Sequence, residues 1–172
     1  MRVGILTISD AGARGERADT SGDAAEQWAN ARGYAVTVRA LVPDESVQIV
    51  STLAAWCDGD AADLVLTTGG TGLSSRDVTP EATRAVLERD APGIAERIRL
   101  LSLQSFPRAA LSRGLSGVRK KTLIVNLPGS LSGVRDGLTA LEAIVDHAIA
   151  VLRGAPLDHG DSPRAPRPAP HA

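Results

Sequence analysis

The chain has 172 residues, 19 basic against 20 acidic for a net charge of -1, and Trp28, Trp56, Tyr34 and Phe106 are its only aromatic residues. That length suits one domain, the balanced charge excludes the electrostatic footprint of a nucleic-acid or anionic-membrane binder, and the core must be aliphatic. Cys57 is alone, which excludes a disulfide framework, and no apolar run approaches the roughly 20 residues of a membrane span.

VGILTI (3–8) is a short apolar run that ends in Ser9-Asp10 and reads as a buried strand. Strand-like sequence from Arg2 leaves no room for a secretory leader, so the expectation is a soluble, cytoplasmic protein. The polar stretch DAGARGERADTSGD follows, long for a plain connection and of the kind that carries function. A helix is expected over about 22–32, stopping at Gly33, and then a second strand over 34–42, closed by Pro43-Asp44. Asp44 or Ser46 is suited to cap the next helix, whose Ile49, Val50, Leu53 and Ala54 have helical spacing and which ends near Gly59. Asp63 to Thr68 reads as the third strand.

The stretch TTGGTGLSSRDVTPEA (67–82) comes next. Thr79-Pro80-Glu81 predicts a helix start, with a hydroxyl cap, a first-turn proline and an acid, running to about Arg89. Ala91-Pro92-Gly93 breaks it, and a further helix is expected over 93–104. Residues 107–121 read as a short helix followed by a basic hairpin-like turn at Arg119-Lys120-Lys121. TLIVN (122–126) is the fourth strand and ends in Leu127-Pro128-Gly129-Ser130; one long helix is expected over about 132–152. From Gly154 the sequence holds five of the ten prolines and little to bury, so 1–153 reads as the domain and 154–172 as a disordered tail. Alternating strands and helices predict an α/β fold in three layers, an open, mostly parallel sheet with helices on both faces.

In such sheets ligands bind beyond the carboxyl ends of the strands. The polar punctuation lies at those ends: Ser9-Asp10, Asp44, the glycine loop, and Asn126 with Pro128-Gly129. Glycine tolerates positive φ and close approach, successive amides form an anion-binding nest, and threonine hydroxyls add donors. That suits phosphate, although a bare GGTG also serves as a tight strand-to-helix turn. A P-loop is excluded because Leu73, not lysine, follows Gly72, and a dinucleotide fingerprint is excluded because Ser75 stands at its third small position. Asp77 alone is a helix-end acid and Asp44 alone a cap. Two carboxylates beside a phosphate nest instead match a Mg²⁺ site of phosphoryl or nucleotidyl transfer. His147, His159 and His171 form no cluster with zinc spacing. Ser112-Arg113 and the basic turn are compatible either with an anionic substrate or with a solvated surface.

TTGGTG, RDVTPEAT, VPDE, ALSR and NLPGS together carry a resemblance that covers roughly residues 2–153. The chain resembles the molybdopterin adenylyltransferases of molybdenum-cofactor synthesis, the bacterial MogA/MoaB type and the gephyrin-like G domains. The resemblance implies adenylylation of molybdopterin by ATP with Mg²⁺, release of pyrophosphate, delivery of the product to a separate molybdate-inserting enzyme, and a homotrimer. It assigns Asp44 and Asp77 as catalytic and metal-positioning residues. The substrate-binding set it implies is Ser9, Asp10, Thr68, Gly69, Gly70, Thr71, Gly72, Ser102, Ser112, Asn126, Pro128 and Gly129. Many relatives have a second proline after NLPG where this chain has Ser130-Leu131-Ser132, which bears on the substrate rim. The alternative reading is a non-catalytic molybdopterin-binding or scaffold module.

Overall fold

In the computed structural model, residues 1–154 are described; the Pro-rich stretch expected to form a tail lies, from 155 onward, outside the described residues. Strand β1 (Arg2–Ile8) is buried from Val3 onward and is an interior strand of the sheet, second from one edge. It is flanked by β2 (Ala35–Val42) and β3 (Leu64–Thr68), both parallel to it. β3 in turn pairs in parallel with β6 (Thr122–Leu127). Two short strands, β4 (Arg89–Asp90) and β5 (Ser116–Arg119), complete the order β2-β1-β3-β6-β5-β4 and run antiparallel at that edge.

The period of two along the strands sorts side chains to opposite faces. Val3, Ile5, Leu64, Leu66, Leu123, Val125 and Leu127 form one core layer with helices α2 (Thr20–Ala31), α5 (Pro92–Leu103), α6 (Leu131–Glu142) and α7 (Val145–Leu152). Leu6, Ile8, Val65 and Ile124 form the other with α3 (Ser46–Asp58) and α4 (Thr79–Val86). The expected three-layer α/β arrangement is therefore the observed one.

The local differences have physical causes. A four-residue helix α1 (Asp10–Ala13) follows β1, capped by the Ser9 hydroxyl, which accepts from the Gly12 N–H at 3.1 Å. The helix expected from 22 starts at Thr20, because Asp19 caps it by accepting from the Gly22 N–H at 2.8 Å. Asp44 and Ser46 do not cap α3: Glu45 precedes it without a side-chain cap bond, and the Asp44 carboxylate faces α1. Thr79 is the first residue of α4 rather than its cap, and its hydroxyl donates to the Gly69 carbonyl at 2.9 Å. The helix expected to reach Arg89 stops at Val86, and Arg89–Asp90 joins the sheet as β4. The basic turn at 119–121 is a true hairpin corner, with Lys120 at φ 52° between β5 and β6. The single long helix expected over 132–152 is two, broken at Ala143-Ile144. Neither residue breaks a helix by itself; both segments bury apolar positions in one core layer, so their periodicity runs across the break unmarked.

Candidate functional site

The parallel register brings four carboxyl ends to one level: Thr7 lies opposite Thr68, Ile8 opposite Val42, and Thr68 opposite Leu127. Each strand then breaks into polar sequence, and the breaks surround a cleft of about 550 Å³. Ser9, Asp44, Thr68, Gly69, Gly70, Asp77 and Gly129 line it.

The glycine loop is obligatory there. Gly69 adopts φ 100° and Gly70 φ 62°, a region that costs an L side chain about 1–2 kcal/mol. A Cβ on Gly69 would stand 2.1 Å from the Ile8 carbonyl oxygen, and one on Gly70 2.4 Å from Thr79 Oγ1 and 2.9 Å from Asp44 Oδ1. The N–H groups of Gly70, Thr71 and Gly72 meet no acceptor among the described residues, as an anion nest requires. The neighbouring hydroxyls behave otherwise than expected. Thr68 donates to the Pro128 carbonyl at 2.8 Å and Thr79 to Gly69, so these two threonines brace the loop instead of offering their protons to a ligand.

Asp44 is held by the Asp10 N–H, which donates to Oδ2 at 2.8 Å, and Asp77 by the Ser74 N–H, which donates to Oδ2 at 2.8 Å. The Oδ1 of each has no hydrogen-bond donor among the described residues. Burial pushes the Asp44 carboxyl above its ordinary range; the Asp10 N–H bond opposes that, and the charges of Asp10 and Asp77 add to it. Asp10 is shifted the other way, chiefly by the Arg76 guanidinium, which grips both of its oxygens at 3.0 and 3.1 Å. Asp10 is thus a brace behind Asp44 rather than a wall of the cleft. No cluster of three or more His, Cys, Asp or Glu that could hold a metal occurs among the described residues.

Ser102, Ser112 and Pro128 line a second cleft of about 340 Å³, formed by α5, the turn Pro107–Leu111 and the start of α6. Ser130 belongs to both clefts. Ser102 is buried and its Oγ has no hydrogen-bond partner among the described residues. A buried hydroxyl left unpaired in a cleft wall can be satisfied by water or by a ligand group. Arg99 and Arg108 add positive charge to this cleft, with Arg108 stacked 5.1 Å from the Phe106 ring centroid.

Asn126 lines neither cleft. Its amide donates to Thr67 Oγ1 at 2.9 Å and Thr83 Oγ1 at 3.0 Å, and its Oδ1 accepts from the Leu115 N–H at 3.2 Å, so its polar atoms are consumed in a buried clasp between β3, α4 and the approach to β5. Thr71 and Gly72 also lie outside the two clefts, and their carbonyls accept from Arg113. Arg113 is half-buried, with its guanidinium turned onto the carbonyls of Gly72 and Asp77.

Arg17, Asp19, Thr20, Ser21, Leu41 and Leu131 also line the first cleft, and no motif marks them in the sequence. The unusual length of the 10–22 connection is the only signal for the first four. Asp19 is neutralised by Arg39 at 2.9 Å, whereas Arg17 has no ion-pair partner among the described residues and is the one cation in that wall.

Residues 4–147 match the family model described as a probable molybdopterin binding domain. The chain is 40% identical over 169 residues to the molybdopterin adenylyltransferase of Escherichia coli K12, covering 90% of this chain and 86% of that one. It is also 41% identical to the molybdenum cofactor synthesis protein cinnamon of Drosophila melanogaster, of which it spans only 25% while 87% of this chain is matched. Among solved structures, the molybdopterin biosynthesis enzyme MoaB of Thermus thermophilus superposes with a TM-score of 0.85 at 50% identity, over 90% of this chain and 98% of that one. With its fold and sequence matched over nearly all of the described residues, the chain belongs to the molybdopterin-binding domain family of molybdenum-cofactor biosynthesis.

Proposed function

We propose that this chain is a molybdopterin adenylyltransferase that moves the adenylyl group of ATP onto the terminal phosphate of molybdopterin and releases pyrophosphate. The observation that carries the reading is the pairing of Asp44 and Asp77 in a cleft that is also lined by Gly70, whose amide meets no acceptor among the described residues. A module that only bound a pterin has no need of two carboxylates brought together against their own repulsion. The name of the Escherichia coli relative supports the same reaction.

The donor set fits Mg²⁺. Two carboxylates, each restrained through one oxygen and open at the other, suit a hard cation that completes its shell with phosphate oxygens and water. Asp44 and Asp77 would hold it, and it would supply neutralisation of the triphosphate charge.

In the transfer, an oxygen of the molybdopterin phosphate attacks the α-phosphorus of ATP. A new O–P bond forms, the α–β bridging P–O bond breaks, and the electron pair leaves with pyrophosphate. The substrate supplies its own nucleophile, so the protein's contribution is positioning and electrostatic stabilisation. The amide of Gly70 donates to a phosphate oxygen, and Arg17 meets negative charge at the rim. The second cleft holds the pterin through Ser102 and Ser112, and the shared wall at Ser130 lets the two substrates meet end to end.

A homotrimer is part of this reading. Leu100 and Leu103 on α5, with Phe106 and Leu111 just beyond it, are exposed apolar groups of the kind an assembly covers. The cytoplasm, where ATP is supplied, is the proposed setting, and a separate molybdate-inserting enzyme is the proposed acceptor of the product. Purified chain incubated with ATP, Mg²⁺ and molybdopterin should release pyrophosphate in step with molybdopterin consumed. Tight molybdopterin binding without pyrophosphate would instead establish a non-catalytic binding module.

A further inference from the structure

Arg113 follows Ser112 directly and makes four donor contacts into a single stretch of chain. Its backbone N–H donates to the Thr71 carbonyl at 2.9 Å and its Nε to the Gly72 carbonyl at 2.7 Å. Its Nη2 donates to the main-chain carbonyl of Asp77, and its Nη1 pairs with Glu81 in the first turn of α4. One planar guanidinium therefore closes the loop from Gly72 to Asp77 on itself and pins that loop to α4. Inside it, the Ser74 N–H restrains Asp77 Oδ2, and a Cβ on Gly72 would come within 2.9 Å of the same oxygen. The loop is folded tightly around the Asp77 carboxylate, and Arg113 is the fastener.

The neighbouring residue faces the other way. Ser112 lines the second cleft, and its Oγ accepts from the Gly114 N–H at 3.3 Å. One peptide unit separates Ser112 from the guanidinium-bearing residue that braces the Asp77 loop. Three of the five guanidinium N–H groups of Arg113 are spent on main-chain and acidic acceptors, which ties the side chain to the residues it fixes.

We propose that Arg113 is a positioning residue that sets the place of Asp77 in the first cleft and ties it to occupancy of the second cleft through Ser112. The proposal rests on the adenylyltransferase reading for its kinetic consequence but not for its structural one. Lysine at this position keeps the charge and loses the planar fork that spans two carbonyls.

Arg113→Lys should lower kcat for pyrophosphate release about tenfold or more, with KM for ATP and Kd for molybdopterin changed less than about threefold, since misplaced groups are felt in the transition state. On an Asp77→Asn background the same change should cost less than about twofold, because both act through one carboxylate. In the wild-type chain, molybdopterin should slow amide hydrogen exchange over residues 71–78, and Arg113→Lys should abolish that slowing while molybdopterin still binds. A raised KM with unchanged kcat would make Arg113 a substrate anchor and overturn the proposal. So would undiminished protection of 71–78 in the variant. A wild-type chain with no transferase activity sinks the functional reading alone, and the exchange comparison still decides the coupling. If Arg113→Lys does not fold, Glu81→Gln releases one arm of the guanidinium at an exposed position. It should lower kcat about threefold and weaken the protection, and unchanged values of both overturn the proposal.

Discussion

The backbone N–H of Asp10 donates to Asp44 Oδ2 at 2.8 Å, and the backbone N–H of Asp44 donates to Asp10 Oδ1 at 3.0 Å. The start of α1 and the end of β2 are clasped through two carboxylates, and Arg76 covers only one of them. Asp10 is therefore comfortable as an anion, while Asp44, half-buried and near Asp77, is not.

The Asp44 asymmetry has a sign. A carboxyl whose pKa is raised in the folded chain binds its proton more tightly there than in the unfolded chain, so its contribution to stability falls as pH rises through the folded pKa. Asp44→Asn removes that cost and keeps an acceptor for the Asp10 N–H. Its melting temperature at pH 7 should equal or exceed that of the wild type, and the difference should vanish in acid where Asp44 is protonated. Calorimetry of both proteins across that range checks it; a variant less stable than wild type at pH 7 contradicts it.

Asp77→Asn is nearly isosteric and still accepts from the Ser74 N–H. The fold should survive with a change of about 1 kcal/mol or less. Turnover should drop on the order of a hundredfold or more, as for loss of a key electrostatic group, while molybdopterin binding through the second cleft persists. Pyrophosphate release measured beside pterin binding separates the two, and near-normal turnover returns Asp77 to the role of a helix-end acid.

Gly70→Ala adds a methyl to a residue at φ 62° and drives it toward Asp44 Oδ1 and Thr79 Oγ1. The conformational part alone costs about 1–2 kcal/mol, and the contact with Thr79 adds to it. Denaturant unfolding should show a loss of at least that size, with activity lost out of proportion because Asp44 is displaced. A variant of unchanged stability means that the loop is free to re-fold around the methyl.

Ser102→Ala deletes a buried hydroxyl that has no partner among the described residues. Removing an unsatisfied polar group is neutral or stabilising by about 1 kcal/mol, so the free protein should melt no lower. Molybdopterin affinity should fall about tenfold, in line with the loss of one hydrogen bond of about 1 kcal/mol or more to a ligand group. A destabilised variant with normal affinity would point to a packing role instead.

The features legible in the sequence are those whose cause is local. Apolar runs such as VGILTI and TLIVN must be buried whichever partner covers them, and Gly69 and Gly70 announce a backbone that no other residue adopts easily. The alternation of strands and helices then limits the topology, and strand carboxyl ends limit the place of the site. Pairing, by contrast, has its cause in contacts between distant segments. A two-residue strand such as Arg89–Asp90 has no period to read, and its existence depends on β5 lying beside it. Asn126 and Arg113 look free in the sequence because a polar side chain's partner is absent from its own neighbourhood there; register and loop closure turn both inward. The same register brings Asp44 and Asp77 into one cleft and leaves Asp10 behind it, because Coulomb and hydrogen-bond energies depend on distances in space that no spacing along the chain encodes.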